Sequence, residues 1–203
     1  MTRSSSAPRR IVAVDGLDGS GKSQIAAALL SACAADGVSA TVFHVDDFRR
    51  GLDFGGLDAA AEAAHYYQRY YDLDALEARL ASFRAGDVGD GAPQLAIVEG
   101  VFTLRVPTIA ASAALLVLRV SADEARRRIL VRDRAKGRTD EEIQRRIARR
   151  YFPGQDRYRA ECDPEARAAA VVDNEDWRAP RVVRSAPGQL PPPIDRWLDE
   201  LAR

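Results

Sequence analysis

Gly16-Leu17-Asp18-Gly19-Ser20-Gly21-Lys22-Ser23 carries the spacing G-x-x-x-x-G-K-[ST], and the chemistry of that spacing is phosphate binding. Glycines let the backbone curl so that successive N–H groups point inward at phosphate oxygens, and a helix starting at this point adds partial positive charge. Lys22 then reaches the outer phosphates of a polyphosphate, and Ser23 offers its hydroxyl to a magnesium ion. A glycine-rich turn that only capped a helix would not need the Lys-Ser pair.

Acids and cations form the next two groups. Asp46-Asp47 follows the β-prone run Ala40-Thr41-Val42-Phe43-His44-Val45, and Glu99 follows the apolar run Leu95-Ala96-Ile97-Val98. Asp46 is the expected general base and can also face a metal, with Asp47 able to share the role; Glu99 is expected to hold a metal-bound water. Residues 126–150 hold eleven Lys or Arg and four acids. Bidentate arginines suit the spread charge of a transferring phosphoryl group, so this stretch reads as a lid over the phosphates, with Arg132 as its leading residue. A phosphate cradle, metal-facing acids, a base and mobile cations are the parts that phosphoryl transfer to an acceptor needs.

The elements that must position these groups alternate strand with helix. Ile11-Val12-Ala13-Val14 reads as a buried strand entering the glycine loop, and Gln24-Ile25-Ala26-Ala27-Ala28-Leu29-Leu30 as the helix leaving it. Further strands are expected at 40–45, 95–98, 114–120 and 168–172, making a five-stranded, mostly parallel sheet covered on both faces. Residues 50–56 read as a mobile loop, and residues 57–83 as helix broken near Asp72. Two capping boxes, Ser121-Ala122-Asp123-Glu124 and Thr139-Asp140-Glu141-Glu142, start helices on either side of the loop 132–138. Arg145, Arg146, Arg149 and Arg150 are expected at the end of the second helix, where they would complement its dipole. A Pro-rich stretch leads to a last short amphipathic helix at 194–201.

Composition narrows the class. A chain of 203 residues that is 46% hydrophobic suits one α/β domain, expected at 11–203 with a lid near 126–150, after a disordered tail at 1–10. Lys plus Arg and Asp plus Glu balance at 30 each, which gives no global footprint for nucleic acid or an anionic membrane. Cys33 and Cys162 lack metal-ligand spacing and read as free thiols in a cytoplasmic protein. His44 and His65 are expected in packing or surface roles. Tyr71, one of several tyrosines at helical spacing, is a candidate wall of the acceptor site.

Taken together, the ordered set Gly16 to Ser23, His44-Val45-Asp46-Asp47-Phe48, Tyr70-Tyr71-Asp72-Leu73-Asp74-Ala75-Leu76, Val98-Glu99-Gly100-Val101-Phe102, Arg127-Arg128-Ile129-Leu130-Val131-Arg132-Asp133 and Val171-Val172-Asp173-Asn174 resembles the uridine kinase and phosphoribulokinase group of P-loop kinases. The resemblance implies a three-layer P-loop NTPase fold with a small helical lid, ATP with Mg²⁺, and transfer of the γ-phosphoryl to a primary hydroxyl such as a nucleoside 5′-OH. Asp46 resembles the family's general base, Asp72 its ribose-hydroxyl ligand, Glu99 its metal-side acid, and Arg128 and Arg132 its lid arginines. Lys22, Asp46, Arg128 and Arg132 are thus the expected catalytic set; Ser23, Asp46 and Glu99 the metal set; and Asp47, Phe48, Tyr71, Asp72 and Arg138 the acceptor set.

The chain also departs from that group. The spacing of Arg128 and Arg132 differs by one residue from the common form, and Lys136 stands where an arginine is expected. The aromatic residue and histidine that read a pyrimidine from a hairpin have no counterpart between Arg84 and Gln94. The acceptor list therefore runs from uridine and cytidine to pantothenate-like alcohols and sugar phosphates. The expected partner is a small-molecule acceptor, with self-association into a homo-oligomer open and with neither nucleic acid nor membrane. Rival classes fit less well. Asp53-Phe54-Gly55-Gly56 spells a GTPase-like D-x-x-G but follows no strand, and no N-K-x-D is present; Gly16-Leu17-Asp18-Gly19 resembles thymidylate-kinase-like enzymes, whose Asp-Arg-Tyr signature is missing. A noncatalytic nucleotide-binding protein would not need Asp46 and the lid arginines.

Overall fold

Alternate residues of the first strand face opposite sides of a sheet, and all of them are buried: Ile11 and Ala13 on one side, Val12 and Val14 on the other. The computed structural model describes residues 9–86, 92–112 and 114–203. In chain order the elements are β1 (Arg10–Gly16), α1 (Lys22–Ala35), β2 (Ala40–His44), α2 (Ala59–Arg69), α3 (Leu73–Ala85), β3 (Leu95–Glu99), α4 (Pro107–Ser112), β4 (Ala114–Arg119), α5 (Ala122–Arg134), α6 (Asp140–Arg146), α7 (Phe152–Cys162), α8 (Pro164–Arg167), β5 (Ala170–Asp173), β6 (Arg181–Ser185) and α9 (Pro192–Leu201). Arg10 already belongs to β1, so the tail expected at 1–10 is shorter than that, and residues 1–8 lie outside the described residues.

One sheet runs in the order β2-β3-β1-β4-β5-β6. The five expected strands form and pair in parallel, whereas the sixth corrects the expectation of five: β6 runs antiparallel to β5. Its sequence, Arg-Val-Val-Arg-Ser, puts two arginines on an exposed edge, and charge on an edge strand disfavours further pairing. On one face α1 and α9 cover Val12, Val14, Ile97, Leu116 and Val172. On the other, α2, α3 and the segment from α5 to α7 enclose a core rich in tyrosine and phenylalanine. Leu29 on α1 is fully buried, and truncating such a side chain to Ala costs about 2–5 kcal/mol.

The strand register sets the level of the functional edge. Glu99 pairs with Val14 on one side and with His44 on the other, so the ends of β1, β2 and β3 deliver their loops to one place. From the neighbouring strands β1 and β4 the chain leaves in opposite directions, to β2 and to β5, and such a switch point opens a crevice at the carboxyl ends of the strands.

Both capping boxes start helices as expected: Ser121 Oγ accepts from Glu124 N–H (3.1 Å) and Thr139 Oγ1 from Glu142 N–H (3.3 Å). In the first box, however, Glu175 replaces Glu124 as the acid reaching the cap residue, accepting from Ser121 N–H and Oγ at 2.7 Å each. The helix expected to end with Arg145 to Arg150 does not end there. It runs from α6 through a π-turn, Ile147–Tyr151, into α7. Mid-helix, the dipole has no use for these arginines. Arg145, Arg149 and Arg150 instead surround Glu62 of α2, which is 1% exposed, at 3.6, 3.1 and 2.7 Å. Removing one partner of such a buried cluster costs about 3–5 kcal/mol, so the second half of the expected lid is anchored to α2. Among the described residues no helix is long and apolar enough to cross a membrane.

Candidate active site

Gly21 caps α1 from a left-handed conformation (φ 92°), and a Cβ placed there would lie 2.5 Å from Asn174 Nδ2. Only glycine therefore allows the loop to turn into the helix beneath the end of β5. Asn174 Nδ2 donates to Ser20 O (2.6 Å), tying the loop to β5. Gln155 of α7 clamps the opposite side: its Oε1 accepts from Asp18 N–H (3.0 Å) and its Nε2 donates to Asp18 Oδ2 (2.8 Å). Beneath the loop Asp15 is buried, accepting from Gly16 N–H (2.6 Å), Thr103 N–H (3.1 Å), the Thr103 hydroxyl and Tyr158 Oη (2.7 Å). Burial pushes its carboxyl above the usual range, against the Thr103 and Tyr158 bonds that pull it down.

Lys22, Ser23, Asp46, Glu99, Arg128 and Arg132 line one cleft of about 450 Å³, with Asp18, Gly19 and Gly21. That volume is in the range of small-ligand sites. Lys22 is nearly buried, its Nζ donating to the carbonyls of Gly16 (3.0 Å) and Leu17 (2.7 Å). Ser23 Oγ donates to Glu99 Oε1 (3.1 Å), and His44 Nδ1 lies 2.6 Å from the same oxygen. Asp46 sits in the short 3₁₀ turn Val45–Phe48 after β2, so Val45 leaves the strand expected to include it. Tyr71 Oη donates to Asp46 Oδ1 (3.0 Å) and Arg49 to Oδ2, yet a carboxylate has about four lone-pair sites, which leaves room for an incoming hydroxyl.

Other expected site residues fall elsewhere. Gly16 and Leu17 line the space behind the loop, and Ser20 is fully buried, so these three shape the cradle rather than its open wall. Asp47 is exposed and outside the cleft lining, while Phe48 packs on the core. Asp72 caps α3 by accepting from Ala75 N–H (3.1 Å) and pairs with Arg50 (2.9 Å); the Arg50 bond holds its carboxyl below the usual range. Asp72 lies outside the linings of the cleft and of the smaller cavity beside it. Arg128 is heavily tied, donating to the carbonyls of Gly19 (3.3 Å), Asn174 (2.8 Å) and Glu175 (2.9 Å) and to Glu124 (2.6 Å). It is a strut between the phosphate loop and the end of β5, and it leaves Arg132 as the freer cation. Arg127 first and Arg128 next hold the Glu124 carboxyl down at about 2. Tyr71 and Arg138 line a second, smaller cavity beside the cleft.

Sequence reading missed three contributors. His44 was assigned to packing, although its place at the end of a strand parallel to the one bearing Glu99 is the signal that could have found it. Trp177, 51% exposed, and Val131, 58% exposed, form an apolar rim of the cleft. Large exposed apolar groups beside polar ones mark a contact surface. Trp177 follows the end of β5, where a sheet of this type delivers ligand contacts.

Ser23, Asp46 and Glu99 offer the hard oxygen donors that Mg²⁺ takes. Among the described residues no group of three or more His, Cys, Asp and Glu could hold a metal ion.

Among solved structures the chain is similar to a candidate uridine kinase from Bacillus stearothermophilus, with 23% identity over 82% of this chain and 89% of that one and a TM-score of 0.59. It is also similar to a candidate fructose transport system kinase from Silicibacter sp. TM1040, with 21% identity over 78% of this chain and 88% of that one and a TM-score of 0.57. These likenesses show the fold alone: a mostly parallel sheet with helices on both faces. No protein-family model and no curated protein sequence matches the chain.

Proposed function

We propose that this protein is an ATP-dependent kinase that transfers the γ-phosphoryl group to a primary hydroxyl of a small molecule. The observation that carries this reading is the convergence of Lys22, Ser23, Asp46, Glu99 and Arg132 on one cleft at the carboxyl edge of the sheet. The N–H groups at the start of α1, which have no partner within the helix, cradle the phosphates. Lys22 exchanges its bonds to the Gly16 and Leu17 carbonyls for phosphate oxygens. Ser23, Glu99 and Asp46 hold Mg²⁺, which when bound neutralises charge on the β- and γ-phosphates. The nucleotide base rests on the Trp177 and Val131 rim, where an aromatic face contributes about 1–3 kcal/mol by stacking.

Asp46, oriented by Tyr71 and Arg49, accepts the proton of the acceptor hydroxyl as its oxygen bonds to the γ-phosphorus and the bond to the β-phosphate oxygen breaks, releasing ADP. Arg132 supplies charge as the phosphoryl group spreads its own. A coupled ADP-release assay with Mg·ATP or Mg·GTP and a panel of alcohols, uridine and cytidine included, tests the reading. Acceptor-dependent ADP release is expected; nucleotide binding with no turnover of any alcohol would point to the noncatalytic class.

A further inference from the structure

Beside Asp46 a second cavity opens between α2, the turn after β2 and the segment 132–151. It adjoins the cleft, since Asp18 and Arg132 line both, and Tyr71 and Arg49 bond Asp46 while lining the cavity. The far end of any acceptor whose hydroxyl meets Asp46 therefore points into this space. The cavity holds about 40 Å³, enough for a few water-sized groups and too little for a nucleobase, since one water needs about 10–15 Å³ on this measure.

Cations dominate the cavity. Arg49, Arg132, Lys136, Arg138 and Arg146 face it, against Asp18 and Asp133. Asp133 is buried and steadies Arg132 (2.7 Å) and Arg138 (3.1 Å), while Glu142 steadies Arg146 (2.7 Å) from outside. With Asp46 beside Arg49 also counted, one cation remains in excess. It is Lys136, for which no ion-pair partner occurs among the described residues. The π-turn adds a geometric observation. Residues five apart in an α-helix lie about 140° apart around its axis, yet Arg146 and Tyr151, separated by the widened turn, both line the cavity. Such π-turns recur at functional sites. Guanidinium groups with donors still unspent, next to tyrosine hydroxyls, suit a group with several strong acceptor oxygens and negative charge. Lys136 is itself exposed, so an anion in the cavity would meet a cation that is not already paired.

We infer that the acceptor carries an oxyanion, a phosphate or a carboxylate, at the end remote from the phosphorylated hydroxyl, and that Arg146, Lys136 and Arg138 hold it. This rests on the kinase reading of the cleft and names its substrate class. The test compares matched alcohols in the ADP-release assay: fructose with fructose 6-phosphate, panthenol with pantothenate, and uridine as the neutral nucleoside. At least one charged member should exceed its neutral partner in kcat/KM by about tenfold or more, and whether the phosphate or the carboxylate pair shows the gain identifies the oxyanion. Arg146→Met should raise KM for the charged acceptor with kcat little changed, and should leave the neutral partner unaffected. Equal or better use of the neutral partners, or of uridine over every charged acceptor, overturns the inference and leaves the kinase reading standing. Calorimetric titration of inorganic phosphate into protein saturated with Mg·AMP-PNP, which blocks the phosphate loop, reads the site without turnover. One phosphate should bind, and Arg146→Met or Lys136→Met should weaken it. No binding, or binding unchanged in both variants, overturns the inference even if no acceptor in the panel is phosphorylated.

Discussion

The two halves of the cleft are built from different materials. On the donor side the phosphate loop is backbone, with Gly21 turning into α1 and Asn174 and Gln155 gripping the loop from both flanks. On the acceptor side the surfaces are side chains from distant segments: Asp46 after β2, Tyr71 after α2, Arg132 and Arg138 around the loop between α5 and α6, and Arg146 at the π-turn. A backbone cradle recognises what all polyphosphates share and tolerates most side-chain changes, whereas a cavity of long side chains can be retuned one residue at a time. On the proposed kinase reading, the donor would be fixed by the fold and the acceptor by its decoration.

Substitutions can break that contrast. Lys22→Ala is the exception on the donor side and the largest effect expected, since the loop's own charged side chain goes. Phosphoryl transfer should fall about 10³-fold, with a melting temperature close to the parent; retained turnover would refute the assignment. Asp46→Asn should lower kcat about 10²-fold while ATP affinity changes little. If KM for the acceptor rose instead with kcat intact, Asp46 would be a binding group. Trp177→Ala should raise KM for ATP about tenfold and leave KM for the acceptor alone, and in the parent Mg·ATP should quench tryptophan fluorescence. A change in acceptor KM would place Trp177 on the wrong side of the comparison. Leu17→Ala is expected to do least, within about twofold in kcat/KM, because only the Leu17 carbonyl meets Lys22 and surface changes of this kind usually stay within about 0.5 kcal/mol. A large loss there would mean that the cradle is not a backbone device.

The same contrast explains what the sequence revealed. The glycine loop, the strand-end acids and the two caps are local patterns whose residues lie within a few positions of one another, so spacing alone exposes them. The five parallel strands were legible as apolar runs. β6 was not, because an edge strand whose two valines are flanked by arginines lacks a continuous apolar signal. Nothing local announces that Tyr71 bonds Asp46, that Glu62 gathers three arginines from 83 to 88 positions away, or that Asp72 is engaged by Arg50. Such encounters come from tertiary packing. The interval 84–94, from which a missing pyrimidine hairpin was read, is only partly within the described residues, and residues 87–91 lie outside them.

The widened turn at Ile147–Tyr151 also acts as a phase insert. Upstream of it Arg146 faces the small cavity; downstream Gln155 grips Asp18 and Tyr158 reaches Asp15. Each residue of an α-helix turns the axis by about 100°, so one further residue placed here in regular helix would rotate everything beyond it by that amount. The clamp and the tyrosine would swing off the phosphate loop while the acceptor end kept its orientation. An alanine inserted after Ala148 should accordingly leave helix content by circular dichroism nearly unchanged and weaken nucleotide binding. The residue count of a continuous rod thus keeps two binding surfaces in register with each other.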